Sequence, residues 1–142
     1  MDNIVWEAYM QNNFEEYLTQ PKSISFEKMQ EIHSGILVEL KGDKEAEELY
    51  EELIKNATRY ASFRAEWFLW DTEKKMERDP QRTSCHNSLI IKFNMLARYL
   101  KEQGKEAAWR DVLGYEEDDP YNRKAIGDFA CYLVFVNSVN AR

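Results

Sequence analysis

A short polar segment in the second half of the chain, Arg82 to Asn87 (RTSCHN), combines residue types that bind small anions. Thr83 or Ser84 suits an N-cap, and the N–H groups at a helix start attract phosphate or carboxylate, which a nearby arginine reinforces. A cysteine beside such a start, like Cys85, is expected to have a lowered pKa. His86 lies on the apolar side of the same helix. The segment predicts either an anion site or a capped helix start with a hydrogen-bonded, partly buried histidine, and the second is favoured.

Further polar residues share one face of the helix that contains His86. Asn87, Asn94 and Arg98 are spaced at i, i+7 and i+11, which aligns them along a helix. With Asp128 or Arg123 from the last predicted helix they could line a cleft. Buried hydrogen bonds that fix helix register are the favoured interpretation, since a buried charge must be paired. The hypothetical polar pocket comprises Arg82, His86, Asn87, Asn94, Arg98 and Asp128.

The sequence contains none of the common catalytic or cofactor motifs. Its two histidines, His33 and His86, stand in no metal-binding pattern, and P-loop, G-x-G-x-x-G, EF-hand and G-x-S-x-G sequences are missing. Two cysteines, Cys85 and Cys131, make no disulfide framework and are expected to be buried free thiols. We therefore predict no catalytic residue, no metal site and no cofactor, and we favour a protein that is not an enzyme.

Negative charge is concentrated in the first half of the chain. The net charge is −7, from 26 acidic and 19 basic side chains, and residues 1–79 hold 18 of the acids against 10 bases. A solvated helix start is the favoured interpretation of the run from Glu45 to Glu52, and a surface for a basic partner is the alternative. The run, hereafter the acidic face, comprises Glu45, Glu47, Glu48, Glu51 and Glu52.

Bulky aromatic residues occupy more than one side of the same predicted helix. Phe63, Trp67 and Trp70, with Tyr60 and Phe68, surround much of its circumference, which is typical of a helix packed on both sides. Core packing is therefore favoured. If Trp70 or Phe63 proves exposed, the same set indicates a protein interface instead, because tryptophan and tyrosine contribute strongly to binding energy.

The hydrophobic pattern is helical nearly throughout, and no apolar stretch approaches the ~20 residues that span a bilayer. With only 5 glycines and 3 prolines, an all-β fold is disfavoured. We predict one all-α domain, residues 1–142, of five or six helices. Its centre is a long helix over about residues 44–78, which Asp43 caps and the Asp79-Pro80 pair stops, since a residue before proline leaves the helical region.

The other helices are recognised by apolar stripes between capping residues and helix-ending glycines or prolines. Gly42 is expected to end one of them in a left-handed conformation. Gly127, inside the last helix, costs about 1 kcal/mol relative to alanine and predicts a close helix–helix crossing. These helices are expected to begin at about residue 3, after Ser23 or Ser25, after Thr83 or Ser84, near Ala108 and at Pro120.

Taken together, the sequence favours a non-enzymatic protein-interaction module. Its sharpest form is an inhibitor of the phage or mobile-element type that offers the acidic face to a basic groove on another protein. The charge disfavours direct nucleic-acid binding, and no membrane association is predicted. A cytoplasmic location is expected, because the start of the chain lacks a secretory signal.

Two other functions stay open. One is a small helical enzyme or anion-binding domain centred on Arg82, His86 and Arg98. The other is a homo-oligomeric scaffold, in its simplest form a homodimer, since a long protruding helix often pairs with its copy.

Overall fold

The computed structural model describes residues 24–67, 69–113 and 120–140. The predicted all-α class is confirmed, because these residues form helices and no strand. The helix predicted over about residues 3–19 lies outside the described residues. The five described helices are α1 (Phe26–Leu40), α2 (Lys44–Trp67), α3 (Thr72–Glu102), α4 (Ala108–Leu113) and α5 (Pro120–Asn140).

The two longest helices, α2 and α3, form an antiparallel pair, and α5 packs against α2. At one end of the pair the Tyr99 hydroxyl donates to the Asp43 carboxylate, and at the other the Arg82 guanidinium lies over the Trp67 ring. The Asp43 hydrogen bond raises the pKa of Tyr99 to about 12. The shorter helices α1 and α4 pack against each other beside this pair.

Local signals predicted the turn between α1 and α2 correctly. The Ser25 hydroxyl accepts from the Lys28 N–H at 3.1 Å and so caps α1. Gly42 has φ of 80°, in the left-handed region where a side chain would be strained. Asp43 Oδ1 accepts from the Ala46 N–H at 3.1 Å and caps α2, as predicted.

The bounds of the long central helix differ from the prediction. The helix predicted over 44–78 ends at Trp67, and α3 runs from Thr72 straight through Pro80. The break occurs where Asp71 provides a strong cap, since its Oδ1 accepts from the Lys74 N–H at 2.8 Å. The Asp79-Pro80 stop and the Thr83 or Ser84 cap are therefore wrong.

The first half of α3, residues 72–84, is a largely uncovered segment that we call the arm. All its side chains are exposed except Lys75 and Arg78, which are half-buried, and fully buried side chains of α3 begin at His86. This exposure explains why Pro80 is tolerated. Pro80 has no N–H for the carbonyl of Met76, but that carbonyl lies on a solvent-exposed turn where water can replace the donor.

Candidate functional site

The segment from Arg82 to Asn87 is not a helix start, because α3 begins ten residues earlier. Its backbone N–H groups belong to the interior of a helix and are not presented to an anion. Burial raises the pKa of Cys85, with Arg59 opposing the shift, so the lowered thiol pKa expected at a helix start is also wrong. The predicted anion site loses both of the features on which it rested.

Polar side chains from α2, α3 and α5 meet in the interior, in a region that we call the seam. Arg64 Nη1 lies 3.2 Å from Asp128 Oδ1 and 3.7 Å from Cys131 Sγ. The Asp128 side chain is only 2% exposed, so this ion pair lies largely out of water. The His86 ring packs edge-on against Tyr60, with ring centroids 5.5 Å apart.

At the seam, α2 and α5 cross at short distance. A Cβ placed on Gly127 would lie 2.6 Å from the Tyr60 hydroxyl oxygen, so only glycine fits without movement. The predicted close crossing at Gly127 is confirmed. Burial raises the pKa of Tyr60, which Arg64 partly offsets, and the phenol therefore stays protonated at neutral pH.

Asn94 connects α3 to α4 through a buried charge. The Arg110 side chain is fully buried, and its Nε donates to Asn94 Oδ1 at 2.7 Å. Asn94 thus makes a hydrogen bond that fixes helix register, with Arg110 of α4 as its partner. Sequence reasoning missed Arg110, because an arginine in a short amphipathic helix gives no sign that it points inward.

The residues of the hypothetical polar pocket are distributed along the fold. Asp128 and His86 belong to the seam, whereas Asn87 and Arg98 are exposed on α3. At a rise of 1.5 Å per residue, Arg82 and Arg98 are separated by about 24 Å along the helix. A single pocket that uses all six side chains is therefore not formed.

Three aromatic rings meet where α2 ends and α3 begins, and we call them the corner cluster: Phe63, Trp67 and Trp70. Ring centroids lie 5.4 Å apart for Phe63 and Trp70 and 6.2 Å apart for the two tryptophans. All three residues are half-buried, so the cluster is neither fully core nor fully surface.

Cations and exposed apolar side chains surround the corner cluster. Lys74 Nζ lies 5.0 Å from the centroid of the Trp70 ring, and the Arg82 guanidinium lies 4.6 Å from that of Trp67. Leu69 is 82% exposed and Met76 is 74% exposed. This combination of aromatic, cationic and exposed apolar groups is typical of a binding surface.

The acidic face lies at the opposite end of α2, on its first two turns. All five glutamates are solvent-exposed. Glu52 makes a surface ion pair of 3.2 Å with Lys55, which is too exposed to contribute much to stability.

A groove of about 470 Å³ runs between α1 and α4. Its base includes Ile32 and Trp109, which are buried, and its open edges include Val38 and Val112, which are 74% and 46% exposed. Along α1 it extends from Lys28 to Val38, which corresponds to about 15 Å of helix. The lining residues are Lys28, Glu31, Ile32, Ser34, Gly35, Val38, Glu39, Glu106, Ala108, Trp109 and Val112.

Glu39 fixes the two walls of this groove relative to each other. Its carboxylate accepts from the Trp109 indole N–H at 2.7 Å and from the Ala107 backbone N–H at 3.0 Å. Both bonds have a carboxylate acceptor and are therefore strong. Ala107 has φ of 48°, a left-handed conformation that this contact helps to hold. Sequence reasoning did not single out the groove, because it depends on how α4 packs on α1.

Comparison of the chain with protein-family models, curated proteins and solved structures gives no match. Among the described residues, no cluster of three or more His, Cys, Asp or Glu side chains is arranged to hold a metal ion. None of the helices over the same residues has the length and apolar character needed to cross a bilayer. The candidate surfaces are thus characterised by their geometry alone.

Proposed function

We propose that the protein is a non-enzymatic interaction module whose α1–α4 groove binds an amphipathic helix of a partner protein, with basic residues beside the apolar stripe of that helix. The observation that carries the proposal is the open apolar groove itself. A helix that places apolar residues at i, i+3, i+4 and i+7 in a groove is a recurring mode of peptide recognition. The exposed Val38 and Val112 supply the edges that such a stripe would cover.

Gly35 supports close approach of a partner at the middle of the groove. A Cβ placed on Gly35 would have no atom within 4 Å, so no packing contact inside the described fold requires glycine there. The glycine nevertheless costs about 1 kcal/mol of helix stability relative to alanine. A backbone that another molecule approaches closely accounts for this cost.

Charge supports a basic partner. Glu31 and Glu106 line the groove, and among its described lining residues Lys28 is the one basic side chain, which pairs with Glu31 at 3.3 Å. The net charge of −7 and the acidic face would further accelerate the encounter with a cationic partner. The alternative of a small enzyme is less favoured, because it requires Arg82 and Arg98 to converge across about 24 Å of helix.

Two labelled helical peptides test the proposal by fluorescence anisotropy with the full-length protein. Both carry the same leucine stripe, and one has lysines and the other glutamates beside it. We expect the lysine peptide to bind about fivefold or more tightly than the glutamate peptide, because two surface charge pairs contribute about 1 kcal/mol or more together. Equal affinity for the two peptides would contradict the basic partner.

A groove-filling variant tests the location. Gly35→Leu places a side chain into open space, so the fold should be retained while affinity for the lysine peptide falls about tenfold or more. Gln30→Leu adds the same side chain to an exposed position on the opposite side of α1 and should leave binding unchanged. Unchanged binding by Gly35→Leu would exclude the groove.

A further inference from the structure

We propose that two copies of the chain form a closed dimer in which their α2 helices lie antiparallel, so that Glu45 and Glu52 of each copy contact the corner cluster and its cations on the other. The proposal concerns a different surface from the groove and does not depend on it.

Helix geometry places Glu45 and Glu52 on the side of α2 that carries Phe63, whereas Glu47 and Glu51 lie on roughly the opposite side. Glu45 and Glu52 are seven residues apart, and Phe63 follows after eleven more, which correspond to about two and three helical turns. These three residues therefore lie near one line along the helix. Glu48 and Trp67 are separated by about 28 Å, at 1.5 Å per residue. An antiparallel copy of α2 can thus align each surface with its complement at the same time.

The charges of the two surfaces are complementary. The arm carries four basic and three acidic side chains, in a protein whose net charge is −7. Its Lys74 and Arg82 lie over the tryptophan rings of the corner cluster. Glu45 and Glu52 supply the opposite charge on the other copy. Because each contact occurs twice about a two-fold axis, the association closes at two copies.

Exposed apolar side chains near the corner cluster add a hydrophobic contribution to the electrostatic attraction between the two copies. Leu69 and Met76 are large and mostly exposed, and Leu69 lies in the chain between the half-buried Trp67 and Trp70. Tryptophan and arginine are enriched among residues that dominate binding energy when an interface covers them. A second copy seated here would remove this surface from water.

The arm itself also favours an added packing partner. It contains Pro80 and has no fully buried side chain, and a helix of this length is marginal without tertiary packing. A second copy accounts for the surface better than an anionic membrane does. Glu45 and Glu52, on the same side of α2, would lie toward such a membrane and be repelled by it.

Charge reversal combined with mixing tests the dimer by sedimentation equilibrium of the full-length protein at low ionic strength. The wild-type protein should show twice the chain mass of 16.9 kDa. The double variants Glu45→Lys with Glu52→Lys, and Lys74→Glu with Lys75→Glu, should each sediment as single chains. An equimolar mixture of the two variants should recover the doubled mass. In a mixed dimer the introduced lysines of one variant face the introduced glutamates of the other, and the two unchanged surfaces remain complementary.

Several outcomes would overturn the proposal. They are a wild-type mass of one chain at the highest soluble concentration, a mixture that stays monomeric, and open-ended masses above two chains. Glu27→Lys changes an exposed charge on α1 and should leave the doubled mass intact. All substituted residues lie on the surface or its edge, so circular dichroism should show the wild-type helical signal in every variant. Anionic vesicles that bind the wild-type chain while it remains monomeric would also overturn the dimer.

Discussion

Two glycines inside helices, Gly127 in the seam and Gly35 in the groove, differ in what surrounds them. Alanine would favour helix formation by about 1 kcal/mol at either position. At Gly127 the Tyr60 hydroxyl occupies the space that a Cβ needs, whereas at Gly35 no atom lies within 4 Å of that position. The seam is therefore filled by packed side chains of the chain itself, whereas the groove is open over the residues that the structure describes.

The polar contacts of the two regions support the same distinction. In the seam, Asp128 and Arg64 satisfy each other between packed helices. Beside the groove, Glu39 and Asn94 hold α4 in place, through Trp109 and Arg110 respectively. These contacts stabilise the wall of an open surface and do not fill it, so the groove is preformed before any partner binds.

The largest expected effect on stability comes from the polar anchor of that wall. Asn94→Ala removes the acceptor of a hydrogen bond from the fully buried Arg110 side chain, and should destabilise the fold by about 2–3 kcal/mol. Arg98→Ala, one turn further along α3 and exposed, should change the free energy of unfolding by less than about 0.5 kcal/mol. Urea denaturation of both variants checks this. Equal effects would mean that the hydrogen bond between Asn94 and Arg110 does not hold α4.

The next largest expected effect on stability concerns Gly127 in the seam. Gly127→Ala places a Cβ against the Tyr60 hydroxyl and should destabilise the protein by about 1–2 kcal/mol, because the cost of overpacking exceeds the gain in helix propensity. Tyr60→Phe removes that hydroxyl, so adding it should recover part of the loss in a double-mutant cycle. If the two substitutions are additive, the close crossing does not depend on the Tyr60 side chain.

The sequence alone predicted those features that depend on local pattern. The stripe of Met29, Ile32 and Ile36 is buried as its spacing requires, because helical periodicity determines which side chains share a face. Pro80 shows the limit of such rules. Whether a proline ends a helix depends on what covers the preceding turn, and the exposure of the arm is a tertiary property.

The candidate site was less predictable for the same reason. Asn94 was identified as a polar residue on an apolar helix, but its partner Arg110 depends on how α4 docks. Gly35 carries no sequence signal that distinguishes it from Gly127. The difference between them is the presence or absence of a neighbouring helix, which one sequence without its packing does not reveal.

The smallest expected effect on stability is an increase, at Gly35, whereas the same substitution at Gly127 should reduce stability. Gly35→Ala fills open space in a helix with φ in the ordinary region, and should stabilise the protein by up to about 1 kcal/mol. The added methyl group lies in the groove, so affinity for the lysine peptide should fall while the free energy of unfolding rises. Urea denaturation and anisotropy on the same preparation measure both. If Gly35→Ala gains stability and binds as well as wild type, the partner does not approach α1 at Gly35. If Gly35→Ala loses stability, the groove is packed from within, like the seam.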